Sequence, residues 1–141
     1  QQITLTRRRV HLLEEMGRRG FNVQRDNRQA VRDSDVVIIS VEPQQTDRVL
    51  EEIADDLAPT RHLVISIVTG VSISQMTRRI GKEVPIVRAM PNTAIAVRES
   101  MTCLATNGAG DGAIEAAQSI FGGVVTCRRM KKTLNYWHAF W

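Results

Sequence analysis

Short apolar runs alternate along this chain with stretches in which apolar residues recur at helical spacing, and the alternation spells strand, helix, strand. Ile3 to Thr6 reads as a short strand. A helix follows from about Arg8 to Arg19, with Val10, Leu13 and Met16 or Gly17 on one face and Gly20 as its stop. Phe21 to Val23 is a second brief strand, after which Asp26-Asn27 opens a short helix with Asp or Asn as N-cap and Ala30 and Val31 inward. Val36 to Val41, reading Val-Val-Ile-Ile-Ser-Val, is apolar on both faces, as a central parallel strand must be. Pro43 suits the first turn of the next helix. There Val49, Leu50, Ile53, Ala54 and Leu57 form one stripe, and Asp47, Arg48, Glu51, Glu52, Asp55 and Asp56 form a solvated face.

The second half continues the series. His62 to Ile67 is a strand with the exit loop Thr69-Gly70-Val71. Ser72 and Gln75 make a capping box ahead of Ile73, Met76 and Ile80, and Gly81 ends that helix. Pro85 to Ala89 is a buried strand that Met90-Pro91-Asn92-Thr93 stops, because proline has no N–H for a sheet ladder and Asn and Thr bond their own backbone. Ser100 to Thr106 is another strand, Asn107 to Gly110 a turn, and Asp111 the N-cap of a helix lined by Ile114, Ala117, Ile120 and Phe121. Val124 to Cys127 is expected as a last short strand. The order implies a parallel sheet with helices on its faces. In such sheets ligands bind beyond the carboxyl ends of the strands. Two strands here stop at proline, in Glu42-Pro43-Gln44 and in Met90-Pro91-Asn92, and read as two walls of one crevice; taken singly, each is an ordinary strand-to-helix turn.

Composition narrows the class. With 141 residues, 43% of them hydrophobic, the chain is one domain's worth with a real core. No apolar run approaches membrane-spanning length, so no membrane association is expected. The formal charge of +4 does not signal nucleic acid, because the basic clusters Arg7-Arg8-Arg9 and Arg128-Arg129-Met130-Lys131-Lys132 sit at opposite ends of the sequence. The first of them has no interleaved aromatics. Cys103 and Cys127 give neither a disulfide framework nor a zinc spacing, no metal is expected, and cytoplasmic residence is the default. The chain opens on Gln1 without an initiator Met, which reads as a fragment or a processed product. Residues 1–127 read as one domain, and 128–141, with Tyr136, Trp137, Phe140 and Trp141, as an unassigned basic and aromatic tail.

Chemistry is concentrated after the first strand, at Thr6-Arg7-Arg8-Arg9. In a dinucleotide-binding fold the residue after the second strand meets the adenosine ribose: an acid accepts the 2′-hydroxyl of NAD, and arginine accommodates the 2′-phosphate of NADP. Guanidinium is permanently charged and grips phosphate through two parallel hydrogen bonds. Thr4 to Arg9 holds no Asp or Glu, so NADP(H) is preferred over NAD(H). The plainer alternative, arginines solvating a helix start, places them at the wrong end for the helix dipole. If Ile3 to Thr6 is a second strand, the first strand and its Gly-rich phosphate turn are not in this sequence.

Three motifs then stand in order: Asp35-Val36-Val37-Ile38-Ile39-Ser40-Val41-Glu42-Pro43-Gln44, Ser66-Ile67-Val68-Thr69-Gly70-Val71-Ser72-Ile73, and Val87-Arg88-Ala89-Met90-Pro91-Asn92-Thr93. With Val97-Arg98-Glu99-Ser100-Met101-Thr102, they make Asn27 to Thr106 resemble the pyrroline-5-carboxylate reductases. The resemblance implies a Rossmann-like, doubly wound α/β domain lacking its first strand and Gly-rich turn, without the family's C-terminal helical dimerisation domain. It implies that Thr6, Arg7 and Arg8 form the 2′-phosphate site and that Asn27 contacts the adenosine half. Val41, Glu42, Pro43 and Gln44 would lie along the cofactor, with Thr69 and Gly70 near the nicotinamide ribose. Met90, Pro91, Asn92 and Thr93 would border the nicotinamide and the substrate.

The implied reaction is hydride transfer from NADPH to the C=N bond of pyrroline-5-carboxylate, giving proline. That chemistry asks for positioning rather than a nucleophile, and no nucleophile–base set is evident; Cys103 reads as a small core residue, and His11, His62 and His138 have no evident partner. The family usually has Lys where Glu42 stands and Pro where Ala94 stands, and the match fades after about Thr126. The full-length family is expected to be a homo-oligomer, and this chain alone is expected to be weak or inactive. Two other readings are open: a related imine or ketone reductase, and a noncatalytic binding module.

Overall fold

Why the sheet forms where it does follows from three strands that are apolar on both faces. In the computed structural model, which describes residues 2–92, 101–106 and 108–121, β3 (Val36–Ile39), β4 (Leu63–Ser66) and β5 (Ile86–Pro91) pair in parallel. Val37 lies opposite Val64, and Val64 opposite Ile86, in one register. Pleating sends successive side chains to opposite faces, which divides the core in two. On one face Ile39, Val64 and Ile86 pack with Leu50, Ile53, Met76 and Ile80 from α3 (Pro43–Ile53) and α4 (Ile73–Ile80). On the other, Ile65, Val87 and Ala89 meet Leu104 of β6 (Thr102–Thr106) and Ala117 of α5 (Asp111–Phe121).

Local signals set the helix ends. Pro43 occupies the first turn of α3, and Ser72 with Gln75 closes both bonds of the capping box on α4. Gly81 ends α4 at φ +68, a left-handed conformation that costs glycine nothing. Asp26 caps α2 (Asn27–Arg32) by accepting from the Gln29 N–H at 2.9 Å. The acidic face expected of α3 is not simply solvated. Arg79 of α4 reaches Asp47 at 2.6 Å and Glu51 at 3.0 Å, while Asp56, just past α3, takes Arg28 and Arg32 of α2. Lys82 Nζ donates to the carbonyls of Ala54, Asp55 and Leu57, a cation at the carbonyl end of the α3 segment.

Several expectations need correction. The sheet is not all parallel: β6 runs antiparallel to β5, and the ten residues between Pro91 and Thr102 are fewer than the crossover of a parallel pair needs. Nor does proline stop β5. Met90 and Pro91 pair with Cys103 and Thr102, and the ladder continues with the Asn92 N–H donating to Met101 at 3.3 Å. That bond makes Asn92, Met90 and Arg88 the residues that face β6. Pro91 therefore turns its missing N–H toward the β4 side, beyond the last pair, Ser66 with Arg88, where no ladder needs it. β3 ends at Ile39 rather than Val41. The helix expected from Arg8 to Arg19 is a 3-10 turn over Val10–Leu13 followed by a short α1 (Glu14–Arg18). The second strand is Asn22–Gln24. The expected Val124–Cys127 strand and the tail from 128 lie outside the described residues.

The sheet is also in two pieces. β1 (Thr4–Thr6) pairs in parallel with β2 (Asn22–Gln24), and neither is hydrogen-bonded to β3. Asn27 of α2 bonds Glu52 at 3.1 Å, and Arg28 and Arg32 both reach Asp56, so α2 lies against the end of the α3 segment. β3, β4 and β5 point one way.

Two predictions follow from the packing. Leu50→Ala empties a fully buried site and should cost about 2–5 kcal/mol by urea denaturation, whereas Leu12→Ala, at a half-exposed side chain, should change stability by less than about 0.5 kcal/mol. Equal losses would contradict the assignment of the core. Arg28 and Arg32 donate to Asp56 and hold its carboxyl below the usual carboxylate range. The stabilisation is therefore present above the unfolded-state value and is lost as pH falls through the folded one. Asp56→Asn should lower the urea midpoint at pH 7 and flatten its decline between about pH 5 and 3; an unchanged acid limb would rule this out.

Candidate functional site

Because β3 to β5 share a direction, the segments leaving β3, β4 and β5 emerge at one edge, and β1 ends in Thr6-Arg7. Those segments hold most of the residues that the sequence singles out. Thr6 closes β1, and Arg7 extends its ladder by donating its N–H to the Gln24 carbonyl at 3.2 Å, which leaves its side chain free of the sheet. Arg7 and Arg8 are exposed, and neither has an ion-pair partner among the described residues. Arg28, Arg32, Arg61 and Arg79 are matched with carboxylates, while Arg9, Arg19, Arg25, Arg48 and Arg78, like Arg7 and Arg8, have no ion pair among the described residues. Two uncommitted guanidinium groups at a strand's carboxyl end suit a multiply charged anion.

After β3, Val41 tucks against the core beside α3 while Glu42, Pro43 and Gln44 stay exposed. Glu42 holds the N-cap position of α3 in extended conformation, but its carboxylate does not cap. It accepts from Gln45 Nε2 at 3.2 Å instead, and its carbonyl accepts from the buried Thr46 hydroxyl at 3.3 Å. After β4, Thr69 and Gly70 are exposed, with Gly70 at φ +79. There the chain turns between the buried Val68 and Val71, anchored by Ser66 Oγ accepting from the Val68 N–H at 3.3 Å. At β5, Met90, Pro91 and Asn92 are half-buried at the same edge; Thr93 lies outside the described residues. Asn27 is the first residue of α2, and its amide is engaged with Glu52.

Sequence reading missed Arg88, although a charge inside Val-Arg-Ala was a visible signal. It sits in β5 beside Ser66, on the α3 and α4 face, and its Nε is buried with no hydrogen-bond partner. Burial pushes this guanidinium below its ordinary pKa. His62, for which no partner was evident, is buried and fully bonded: Nδ1 accepts from the Ala58 N–H at 2.8 Å, and Nε2 lies 3.1 Å from the Val31 carbonyl. Cys103 is half-buried on β6, opposite Met90. A concavity of about 300 Å³ around Asp35, Pro59, Arg61, His62 and Ala113 lies at the amino ends of β3 and β4. It presents no uncommitted charged pair, since Arg61 bonds Asp35 at 2.9 Å, and the opposite edge is the better candidate. Among the described residues no cluster of three or more His, Cys, Asp or Glu could hold a metal, and no helix is long and apolar enough to cross a membrane.

The chain is similar to several known proteins. Residues 1–70 match the profile of the family described as NADP oxidoreductase coenzyme F420-dependent. The chain is 42% identical over 132 residues to pyrroline-5-carboxylate reductase 1 of Dictyostelium discoideum, covering 85% of this chain and 24% of that one. A solved pyrroline-5-carboxylate reductase from Coxiella burnetii superposes with a TM-score of 0.84 at 35% identity, over 92% of this chain and 49% of that one. The Plasmodium falciparum pyrroline carboxylate reductase, solved with NADP bound, matches at 26% identity and a TM-score of 0.68, over 75% of this chain and 41% of that one. The chain thus spans between a quarter and a half of the length of these relatives. Motif order, strand topology and these identities agree: over most of its length the chain is similar to the Rossmann-like portion of the pyrroline-5-carboxylate reductases.

Proposed function

We propose that this chain supplies the cofactor-binding part of an NADPH-dependent pyrroline-5-carboxylate reductase, which reduces the C=N bond of 1-pyrroline-5-carboxylate to give L-proline. The observation that carries the reading is the pair of uncommitted guanidinium groups, Arg7 and Arg8, at the carboxyl end of β1, with no acid in the neighbouring stretch from Thr4 to Arg9. An acid there would accept a ribose 2′-hydroxyl; the arginines fit a 2′-phosphate. The names of the relatives agree in reaction and, for the Plasmodium protein, in cofactor.

When bound, NADPH supplies the hydride. The chain's own residues bind and orient. Arg7, Arg8 and Thr6 grip the phosphate end, and Asn27 lies toward the adenosine half once its amide exchanges Glu52 for the nucleotide. Val41 to Gln44 and Thr69-Gly70 border the length of the molecule, where the exposed Gly70 turn presents backbone rather than bulk. Met90, Pro91, Asn92 and Thr93 bound the reacting end. Holding two reactants in register is the larger part of the catalysis such a site provides. No side chain of the described residues is asked to act as a nucleophile. Residues 1–127 serve as the nucleotide domain and 128–141 as a separate tail. The homo-oligomer and the rest of the imino-acid pocket belong to regions of the relatives that this chain does not span.

Titration with NADPH and NADH tests the reading. Wild type should prefer NADPH, and Arg7→Ala/Arg8→Ala should lose roughly ten- to hundredfold in NADPH affinity while NADH binding changes little, since at an exposed site the charge-assisted bonds of the pair together contribute about 1.5–3 kcal/mol. Equal losses for both nucleotides, or none, would refute it. Glu42 places a carboxylate beside the expected path of the phosphates. Glu42→Lys should therefore tighten NADPH binding a few-fold at low salt, with the gain shrinking as ionic strength rises. Weaker binding in Glu42→Lys would mean that the carboxylate has a positive role.

A further inference from the structure

β1 and β2 leave their ribbon side by side, and each exits in an arginine. The pairs Thr4–Asn22, Leu5–Val23 and Thr6–Gln24 set the register of the two strands. The Arg7 N–H donates to the Gln24 carbonyl at 3.2 Å, so the ladder runs one step past the strands and sets Arg25 opposite Arg7. Neighbouring strands lie about 4.8 Å apart, and residues directly opposite present their side chains on the same face. Arg7 and Arg25 therefore leave the ribbon as adjacent guanidinium groups, on the face that carries Leu5 and Val23.

Both arginines are exposed, and neither has an ion pair among the described residues. Like charges directly opposite on paired strands repel each other. The acid beside Arg25 does not relieve them: Asp26 is turned to α2, where its Oδ1 accepts from the Gln29 N–H at 2.9 Å. Lack of an ion pair is common to several arginines here, but the placement of Arg25 is not. Arg9 and Arg19 stand at the ends of the 3-10 turn and of α1, and Arg48 and Arg78 lie within α3 and α4. None of those four faces a second arginine across a ladder. Arg25 also precedes Asn27, the first residue of α2, by two positions.

We propose that Arg25 is a further specificity-determining residue, which shares the ribose 2′-phosphate with Arg7 across the two strands. The proposal rests on the NADPH reading of Arg7 and Arg8 and extends it to a second strand exit. A phosphomonoester carries close to two negative charges and three strong acceptor oxygens, so guanidinium forks from two strands can hold it together. The dianion removes the repulsion between Arg7 and Arg25, and the pair in turn discriminates against a ribose that bears only a hydroxyl. Through Arg25 the phosphate contact becomes continuous with Asn27, on the adenosine side.

Titration of the 141-residue chain with adenosine 2′,5′-bisphosphate and adenosine 5′-monophosphate tests it, because the two probes differ only in the 2′-phosphate. Arg25→Ala should weaken bisphosphate binding about three- to tenfold and change monophosphate binding by less than about twofold. Arg25→Lys should recover part of the loss, since it keeps the charge without the fork. Arg48→Ala, which removes an exposed and unpaired charge elsewhere, should alter neither titration by more than about twofold. Full bisphosphate affinity in Arg25→Ala, alongside a loss in Arg7→Ala/Arg8→Ala, would overturn this proposal and leave the NADPH reading standing. Equal losses for both probes in Arg25→Ala would give Arg25 a structural role and overturn it as well. A wild-type chain that binds the two probes equally, or neither, would overturn both.

Discussion

The structure depends on a ladder of three parallel strands whose side chains are apolar on both faces. β4 lies at its centre, with all four of its residues buried. A strand in that position cannot face water on either side, so helices must cover both faces, and the covering helices α3, α4 and α5 are those with the clearest amphipathic spacing. The common direction of the strands is the second consequence of the ladder. Each parallel connection needs a crossover helix, so the chain leaves each strand at the same edge, and loops far apart in sequence become neighbours. The Glu42, Thr69 and Asn92 segments owe their shared location to backbone pairing more than to any contact among themselves.

Energy is unevenly distributed over that plan. The core sits between β3–β6 and the helices from α2 onward, tied by the Asp56 pair of arginines, the Arg79 bridges and Lys82 on its three carbonyls. The segment that bears Arg7 and Arg8 has no buried residue and no hydrogen bond to the main sheet. The proposed reading thus puts charge recognition on the least anchored part of the molecule and positioning at the reacting end on the most anchored part.

What could be read from the sequence followed the same division. The capping box at Ser72 and Gln75, the glycine stop at Gly81, Pro43 at a helix start and the double-sided apolarity of β3 and β4 are local signals with one structural outcome each. Met90-Pro91 misled because a proline's tolerance in a strand depends on which neighbour its missing N–H would have faced, and pairing is not written locally. The antiparallel turn of β6 and the split sheet are likewise long-range facts. The acidic stripe on α3 looked like solvent-facing charge, yet its partners Arg28, Arg32 and Arg79 lie on other helices. Of the site, the loops and the arginines were legible as motifs. The engagement of Asn27 with Glu52 and the unpaired, buried Nε of Arg88 were not, since both depend on which helix or strand lies alongside.

The account's central claim is that the nucleotide lies across the carboxyl edge of the parallel strands, not in the cavity at their amino ends. Amide chemical shifts of the labelled chain on addition of NADPH measure this directly. The claim requires shifts at Arg7, Arg8, Val41, Glu42, Thr69, Gly70 and Asn92, with Asp35, Arg61, His62 and Ala113 unmoved. Shifts concentrated at Asp35, Arg61, His62 and Ala113, with the Arg7 and Thr69 segments silent, would contradict it.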